Sequence, residues 1–410
     1  MIVRKQQDAS HRKLDDKKDP YKAPDKNPMD FEDLTKTPAQ SGIAGVTKGD
    51  SGSVVWGAFG PGSASPKDPQ LTLERLGRHA SAPGRNCPIH YQYAPEALVK
   101  PAEFETDSVY VIGGLYGNQF ALHTIFRLRD GEKNDVRLVF NGDFNWFDID
   151  AAGFEHTNKT VLQHIALRGN VETELASLNE EAGCGCVYPY WVDEQEVQRS
   201  NSIMQRLRET ARAFPRLRQR LGSLPMHMVV SVGGLRIGVV HGDAESLAGW
   251  GFSHVALTQA VQQRRVRNFF NQARVRIFAS SHTCLPVARN FELADGQCVV
   301  INNGAAGMPN FLGTRFGLIT RISVRPAAHI RSIYGYRLDG VYVEALPVYY
   351  DHAAWQRAFL SNWPPGSPAY ESYFQRVNHG PDYTVARALR GASKWRNFDE
   401  MGTAEDYLRD

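Results

Sequence analysis

The sequence predicts an α/β fold in which a largely parallel β-sheet packs against a second, more antiparallel sheet. Between residues 108 and 167, short apolar runs alternate with helical patterns, which is typical of βαβ units. The later strands follow one another without helices between them, which indicates antiparallel pairing. At 410 residues, the chain is long enough to bury a large core in one domain or two smaller ones.

Apolar runs and helical periodicity predict the elements in order. In the first half we predict strands at 109–112, 136–140 and 164–167, with helices at 119–128 and 151–163 between them. The second half begins with a hairpin around Gly233 and Gly234, because two glycines suit a tight turn. The other predicted elements are helices over 194–213 and about 254–272, and strands at 228–232, 235–240, 275–279, 298–301 and 316–322.

The two ends of the chain differ from this core in composition. Residues 1–40 carry nine Lys or Arg and eight Asp or Glu among few large apolar residues, so we predict a disordered charged tail. Residues 41–105 are rich in Gly, Ser and Pro and are predicted to form a loop-rich N-terminal extension. We expect the core domain over 106–325 and a C-terminal cap of helices and a strand over 326–410.

Composition and charge exclude several classes of protein. A formal charge of +3 is too small to indicate a nucleic-acid partner or binding to an anionic membrane. No apolar run approaches the ~20 residues that span a bilayer, and the N-terminus lacks the apolar core of a signal peptide. Five cysteines form an odd, sparse set that fits a reducing compartment. We therefore expect a cytoplasmic protein, in which Cys184-Gly-Cys186 forms a turn with two buried thiols.

Polar side chains stand at the ends of four predicted strands. The chain presents Asp143 after a glycine, Asn170 after another, and His241 and His282 directly after buried runs. The carboxyl ends of strands are where α/β sheets gather ligand-binding groups. One carboxylate, one amide and two imidazoles suit a divalent metal such as Mn, Fe or Zn. Taken singly, each residue also fits a simpler role, such as capping a loop or bonding within the core.

Five short segments carry a resemblance to a known family. They are Ile112-Gly-Gly-Leu-Tyr-Gly-Asn118, Asn141-Gly-Asp-Phe144, Arg168-Gly-Asn-Val-Glu172, His241-Gly-Asp243 and Ser281-His-Thr-Cys284. In order and separation they resemble the loops of the calcineurin-like metallophosphoesterases, and the stretch 299–309 resembles a Gly- and Pro-containing segment of the bacterial phosphodiesterase branch. The resemblance covers roughly 108–325. It implies a four-layer sandwich, with two mixed β-sheets packed together and flanked by helices, followed by a C-terminal extension.

Most departures from the family pattern are at positions that bind one of the family's two metals. Gly114 stands where the family has the Asp of its first loop, Tyr116 where it has the His, and Cys284 where it has the last His. In the family those three residues bind the first metal. The positions that bind the second metal are all kept, so the resemblance implies a single ion held by Asp143, Asn170, His241 and His282. Val171 replaces a catalytic His, although some bacterial branches carry Cys there.

The resemblance implies a metal-dependent phosphoesterase that hydrolyses a phosphomonoester or a phosphodiester, with a small-molecule phosphate ester or a nucleotide as substrate. Asp143, Arg168 and His241 are then the expected catalytic residues. Arg168, Asn118 and Tyr116 are expected to contact substrate, although Arg168 also fits a surface ion pair. The alternative function is a catalytically silent relative that binds a phosphorylated ligand or a protein partner.

Two other metal arrangements remain open at this point. Tyr116 and Cys284 could rebuild the first metal site as phenolate and thiolate ligands. Alternatively, Cys184, Cys186 and Cys284 could converge on a soft metal. The sequence does not indicate an oligomeric state.

Overall fold

Two mixed β-sheets form the centre of the structure, a computed structural model that describes residues 82–390. The predicted tail over 1–40 and most of the predicted extension over 41–105 lie outside the described residues. The strands are β1 Phe104–Thr106, β2 Ser108–Ile112, β3 Arg137–Asn141, β4 Ile165–Leu167, β5 His227–Val232, β6 Leu235–Val240, β7 Ile277–Ser280, β8 Val287–Leu293, β9 Gly296–Asn302, β10 Gly317–Ser323, β11 Tyr334–Leu338, β12 Val341–Val348 and β13 Leu389–Arg390.

Helices connect and cover these strands. The α-helices are α1 Gln119–Asp130, α2 Ala151–Val161, α3 Asn170–Ala176, α4 Glu194–Ala211, α5 Pro215–Gly222, α6 Ala260–Ala273, α7 His352–Asn362, α8 Pro368–His379 and α9 Val385–Ala388. Short 3-10 helices lie at Ile89–Tyr91, Pro95–Leu98 and Ala256–Thr258. No helix in the described part of the chain is both long and apolar enough to span a bilayer.

The six-stranded sheet has the order β11-β12-β10-β2-β3-β4. Its β2, β3 and β4 run parallel, which the alternation of strands and helices predicts. Its other three strands pair antiparallel. Every residue of β2 and of β10 is buried, as expected for strands covered on both faces.

The seven-stranded sheet has the order β1-β5-β6-β7-β9-β8-β13. It combines the antiparallel hairpin of β5 and β6 with parallel pairs of β6 with β7 and β7 with β9. A cluster of buried side chains, which includes Phe269 and Phe270 of α6 and Phe278 of β7, packs this helix on the sheet. The implied arrangement, two mixed sheets flanked by helices, is confirmed.

The division of strands between the two sheets corrects one prediction. The second sheet was expected to be the more antiparallel, yet it holds four parallel pairs, and β10 joins the first sheet instead. The helix predicted over about 254–272 is interrupted, because the 3-10 turn Ala256–Thr258 precedes α6. Strands β8 and β11 were not predicted. Within the described residues 340–390 the structure has two strands, β12 and β13, where one was expected over 340–410.

Candidate metal centre

The four predicted ligands lie in loops at the carboxyl ends of strands from both sheets. Asp143 follows β3, and Asn170 is the first residue of α3 after β4, in the six-stranded sheet. His241 follows β6 directly, and His282 follows β7, in the seven-stranded sheet. The strand ends meet because the Asn141 side chain donates to the carbonyl oxygen of Val240 at 2.8 Å. Each sheet therefore contributes two of the four side chains.

The four side chains converge on one point. His241 Nε2 lies 3.3 Å from Asp143 Oδ2, 3.2 Å from Asn170 Oδ1 and 3.2 Å from His282 Nδ1. One ligand atom each from Asp143, His241 and His282 lie within 4.8 Å of one another. Metal–ligand bonds of about 2.1 Å place neighbouring ligand atoms roughly 3 to 3.5 Å apart. The spacing suits a first-row divalent ion.

Hydrogen bonds on the far side of three ligands fix the direction of their lone pairs. Asn170 Nδ2 donates to the carbonyl oxygen of Cys184 at 3.0 Å. His282 Nε2 lies 3.1 Å from the carbonyl oxygen of Cys186, and His241 Nδ1 lies 2.8 Å from that of Asn141. A carbonyl oxygen only accepts, so these ring nitrogens carry the protons. The inward atoms Oδ1, Nδ1 and Nε2 then present lone pairs alone.

A positive charge is needed between these side chains. Three lone-pair donors and the carboxylate of Asp143 face one another with no protein hydrogen between them, which is unfavourable unless a positive charge sits there. A metal ion or a proton on His241 can supply it. Burial alone lowers the pKa of His241, yet the adjacent Asp143 carboxylate raises it above its ordinary value. Burial, with the neighbouring His241, lowers the pKa of His282 to about 3.

Glu172 holds two ligand loops together. Its buried carboxylate accepts hydrogen bonds from the backbone N–H groups of Asp143 at 2.7 Å, Phe144 at 3.0 Å and Gly169 at 2.9 Å. Asp143 needs this support because its backbone φ is 55°, a left-handed conformation that is unfavourable for most residues. Burial, together with the charge of Asp143, raises the pKa of Glu172 to about 7. Sequence reasoning quoted Glu172 within its motif but gave it no role.

The three replaced first-metal positions lie side by side. The hydroxyl of Tyr116 is 3.1 Å from Cys284 Sγ, and a Cβ added to Gly114 would lie 2.9 Å from Cζ of the Tyr116 ring. The tyrosine ring therefore fills the space beside Gly114. Burial raises the pKa of Tyr116 well above its ordinary value and that of Cys284 to about 11. Both groups are therefore neutral at pH 7 in the metal-free protein, and among the described residues Cys284 is not part of the His, Cys, Asp and Glu cluster that could hold a metal.

Cys184 and Cys186 are buried free thiols in a turn, as predicted. Among the described residues, the group of His, Cys, Asp and Glu side chains that could hold a metal consists of Asp143, His241 and His282. The three-cysteine soft-metal arrangement is therefore wrong for this part of the chain.

Two residues that were predicted to contact substrate direct their side chains elsewhere in the fold and do not line the cavity beside the metal ligands. Arg168 directs its guanidinium to the end of α5, where NH1 donates to the carbonyl oxygen of Gly222 at 2.7 Å. Asn118 is fully buried and caps α1 by accepting from the N–H of Ala121, while its amide donates to Gly307. Both polar ends of Asn118 are thus used within the fold. The strand-end motif places these residues near the site, but it does not determine where their side chains point.

A small cavity of about 20 Å³ opens beside the ligands. This volume is room for about one water molecule. The walls are largely aromatic, and the lining residues are Tyr116, Asp143, Trp146, Asn170, Val171, Cys186, Tyr188, Trp250, His282, Cys284 and Tyr373. The wall comes from distant segments, including α8 of the cap. No local sequence signal identified Trp146, Tyr188, Trp250 or Tyr373.

Fold and site together define an α/β protein with a buried cluster of candidate metal ligands between two sheets. No family model matches the sequence, and no curated protein matches it. Among solved structures, the chain is similar to a metallophosphoesterase from Sphaerobacter thermophilus at 17% identity, covering 67% of this chain and 99% of that one, with a TM-score of 0.42. It is also similar to a hypothetical protein from Pyrococcus horikoshii at 15% identity, with coverage of 67% and 99% and a TM-score of 0.43.

A serine/threonine phosphatase from Saccharomyces cerevisiae is similar at 14% identity, covering 62% of this chain and 90% of that one, with a TM-score of 0.32. At identities and TM-scores this low, the chemistry of the site has to be inferred from its own residues.

Proposed function

We propose that this protein is a metal-dependent phosphoesterase that uses one divalent ion to hydrolyse a small-molecule phosphate ester or a nucleotide. The observation that carries the proposal is the convergence of lone pairs from Asp143, Asn170, His241 and His282 on one point. Far-side hydrogen bonds hold three of these side chains in the orientation that a metal needs. Mn, Fe or Zn suits this set of oxygen and nitrogen ligands.

The residues account for the expected chemistry in three ways. A bound divalent ion would polarise a phosphoryl oxygen and acidify a bound water. One carboxylate and three neutral ligands leave the centre a net positive charge, which attracts an anionic ester. The aromatic walls limit the access of bulk water, and Tyr116 offers a neutral hydroxyl to a substrate oxygen. A phosphate group is larger than the cavity, so substrate binding requires the wall to shift.

The size of the cavity favours a second candidate, a catalytically silent protein that binds a phosphorylated ligand. Tyr116 and Cys284 occupy the positions at which the family holds its first metal. A protein that keeps one ion and a narrow cavity can bind a phosphate without hydrolysing its ester. The two candidates share the metal and differ only in turnover.

One experiment separates these functions. The protein is stripped with chelator, reloaded with Mn, Fe or Zn, and assayed for metal content and for hydrolysis of aryl phosphate monoesters and diesters. We expect one ion per chain and metal-dependent turnover, both lost in Asp143→Asn and His241→Ala. Asp148→Asn, a buried aspartate that does not line the cavity, is the matched control and should keep both. Stoichiometric metal without turnover supports the second candidate, and a chain that binds no metal refutes both.

A further inference from the structure

Arg376 is a buried arginine in α8 of the cap. Its side chain is 1% exposed, Nε donates to the carbonyl oxygen of Pro309 at 2.9 Å, and NH2 donates to that of Cys284 at 2.7 Å. Within the described residues no carboxylate pairs with it. Arg321, the other fully buried arginine among the described residues, is by contrast held by two glutamates with buried side chains. A buried cation without an anion is unfavourable, so the charge of Arg376 requires an explanation.

The guanidinium lies behind the part of the cavity wall where the family would hold its first metal. It bonds the backbone of Cys284, whose Sγ lies 3.1 Å from the hydroxyl of Tyr116. Tyr116 and Cys284 both line the cavity. The field of the guanidinium therefore reaches the cavity wall.

We propose that Arg376 supplies the positive charge that the lost first metal would have provided, and that it thereby adapts the site to a dianionic phosphate group. This inference rests on the proposed function. A divalent ion with Asp143 as its one charged ligand leaves a net charge of about +1, which matches a phosphodiester. Arg376 makes the surroundings of the site more positive by one charge, which favours the dianion of a phosphate monoester or inorganic phosphate over the monoanion of a phosphodiester.

A charge effect and a structural effect of Arg376 predict different changes in metal affinity when the arginine is replaced. If Arg376 acts through its charge, a neutral side chain weakens anion binding and leaves cation binding unchanged or tighter, because a like charge has been removed. If it only holds the backbone near His282, the same substitution misplaces a ligand and weakens metal binding. Measuring both affinities in one variant therefore separates the two roles.

The experiment uses the full-length protein and isothermal titration calorimetry. Mn²⁺ is titrated into metal-free protein, and inorganic phosphate is then titrated into the Mn²⁺-loaded protein. We expect Arg376→Gln to bind phosphate at least about tenfold more weakly, which is about 1.4 kcal/mol, with Mn²⁺ affinity unchanged or higher. Arg376→Lys keeps the charge and should stay within about threefold of the unmodified protein for both ligands.

Arg218→Gln is the matched control, because Arg218 also donates only to backbone carbonyl oxygens, those of Leu175 and Ser177. It should leave both affinities unchanged. A second measurement needs no variant: the Mn²⁺-loaded protein should bind phosphate at least about tenfold more tightly than dimethyl phosphate, a monoanion. Equal affinity for the two anions overturns the inference even if Arg376→Gln does not fold.

Three results overturn the inference and leave the proposed function standing. They are an unchanged phosphate affinity in folded Arg376→Gln, a parallel loss of Mn²⁺ and phosphate binding in both Arg376 variants, and equal affinity for phosphate and dimethyl phosphate. A protein that binds no Mn²⁺, Fe²⁺ or Zn²⁺ instead refutes the proposed function itself, and this inference with it.

Discussion

Gly114 and Tyr116 form one structural unit, although they are two replacements in the sequence. The phenol ring of Tyr116 lies where a side chain at position 114 would project, and it is 3% exposed. The φ of Gly114 is 66°, which glycine adopts without strain. An acid at position 114 and a ring at position 116 therefore compete for the same space.

This competition predicts a non-additive double-mutant cycle. Gly114→Asp should lower the free energy of unfolding by roughly 2 to 3 kcal/mol, because the new side chain meets the buried ring. In the Tyr116→His background the same change should cost at least about 1 kcal/mol less, since the smaller ring leaves room. Urea denaturation of the four proteins measures both values.

Gly234→Asp is the control for this cycle. Its φ of 79° is also left-handed, but no atom lies within 4 Å of an added Cβ. It should show the conformational effect alone and no dependence on position 116. Additive effects of Gly114→Asp and Tyr116→His would show that the ring and the acid do not compete.

At the scale of elements, the turn between α3 and α4 orients two ligands. The carbonyl groups of Cys184 and Cys186 accept from Asn170 and His282, and that of Cys186 also accepts from Trp250 Nε1 at 2.9 Å. The turn takes this shape through positive φ angles at Gly183, Gly185 and Val187. Its backbone, rather than its thiols, therefore serves the metal centre.

Gly185→Ala should lower metal affinity without unfolding the protein. An added Cβ would contact the hydroxyl of Tyr91 and lie 2.8 Å from Cγ of Glu174, so the turn must move and take its carbonyl groups with it. Loss of such outer contacts typically weakens metal binding about 10- to 100-fold. Calorimetric titration with Mn²⁺ measures the change, and circular dichroism checks the fold.

Gly313→Ala is the control, with a φ of 74° and no atom within 4 Å of the added Cβ. It should bind Mn²⁺ as the unmodified protein does. Equal Mn²⁺ affinity for Gly185→Ala and Gly313→Ala would rule out a role of the turn in holding the ligands.

The elements also show which parts of the structure the sequence could predict. Strands β2, β3 and β4 were predicted because each is a short, mostly apolar run and helical patterns separate them. Strand β11 contains Gly335 and the exposed Arg337, so it lacks such a pattern. The sheet to which β10 belongs depends on its pairing with β2, some 200 residues earlier in the chain, and no local pattern encodes that.

The candidate site also has a part that the sequence could predict and a part that it could not. Its ligands follow strands and were therefore predictable from position alone. The aromatic wall and Arg376 come from remote loops and the cap, and only tertiary packing brings them to the centre. Arg168 lies in a recognisable motif, yet its contact with Gly222 depends on how α5 packs.

At the scale of the whole molecule, a buried acid links stability to pH. Asp148 is 4% exposed, and its carboxylate accepts a hydrogen bond from the hydroxyl of Thr157 at 2.5 Å. Burial raises its pKa to about 8. The folded state therefore holds a proton on Asp148 at pH values where the unfolded chain has released it, and the contribution of Asp148 to stability is lost as pH rises from about 4 to about 8.

Asp148→Asn should remove this part of the pH dependence. We compare the unfolding free energy of the variant with that of the unmodified protein at each pH. Between pH 4 and pH 8 the variant should gain on the order of 3 to 5 kcal/mol relative to the unmodified protein. Urea denaturation at several pH values measures it. Asp135→Asn, at an exposed aspartate, should parallel the unmodified protein. A pH-independent difference for Asp148→Asn would mean that this carboxyl titrates alike in both states.

Two ligands come from each sheet, and a bound ion would therefore affect how the protein unfolds. An ion bound by all four would join the two halves of the core, and neither sheet could separate from the other without releasing it. Resistance to heat and denaturant would then depend on the concentration of free metal, with about 1.4 kcal/mol gained for each tenfold rise above the dissociation constant. The site would be part of what holds the fold together.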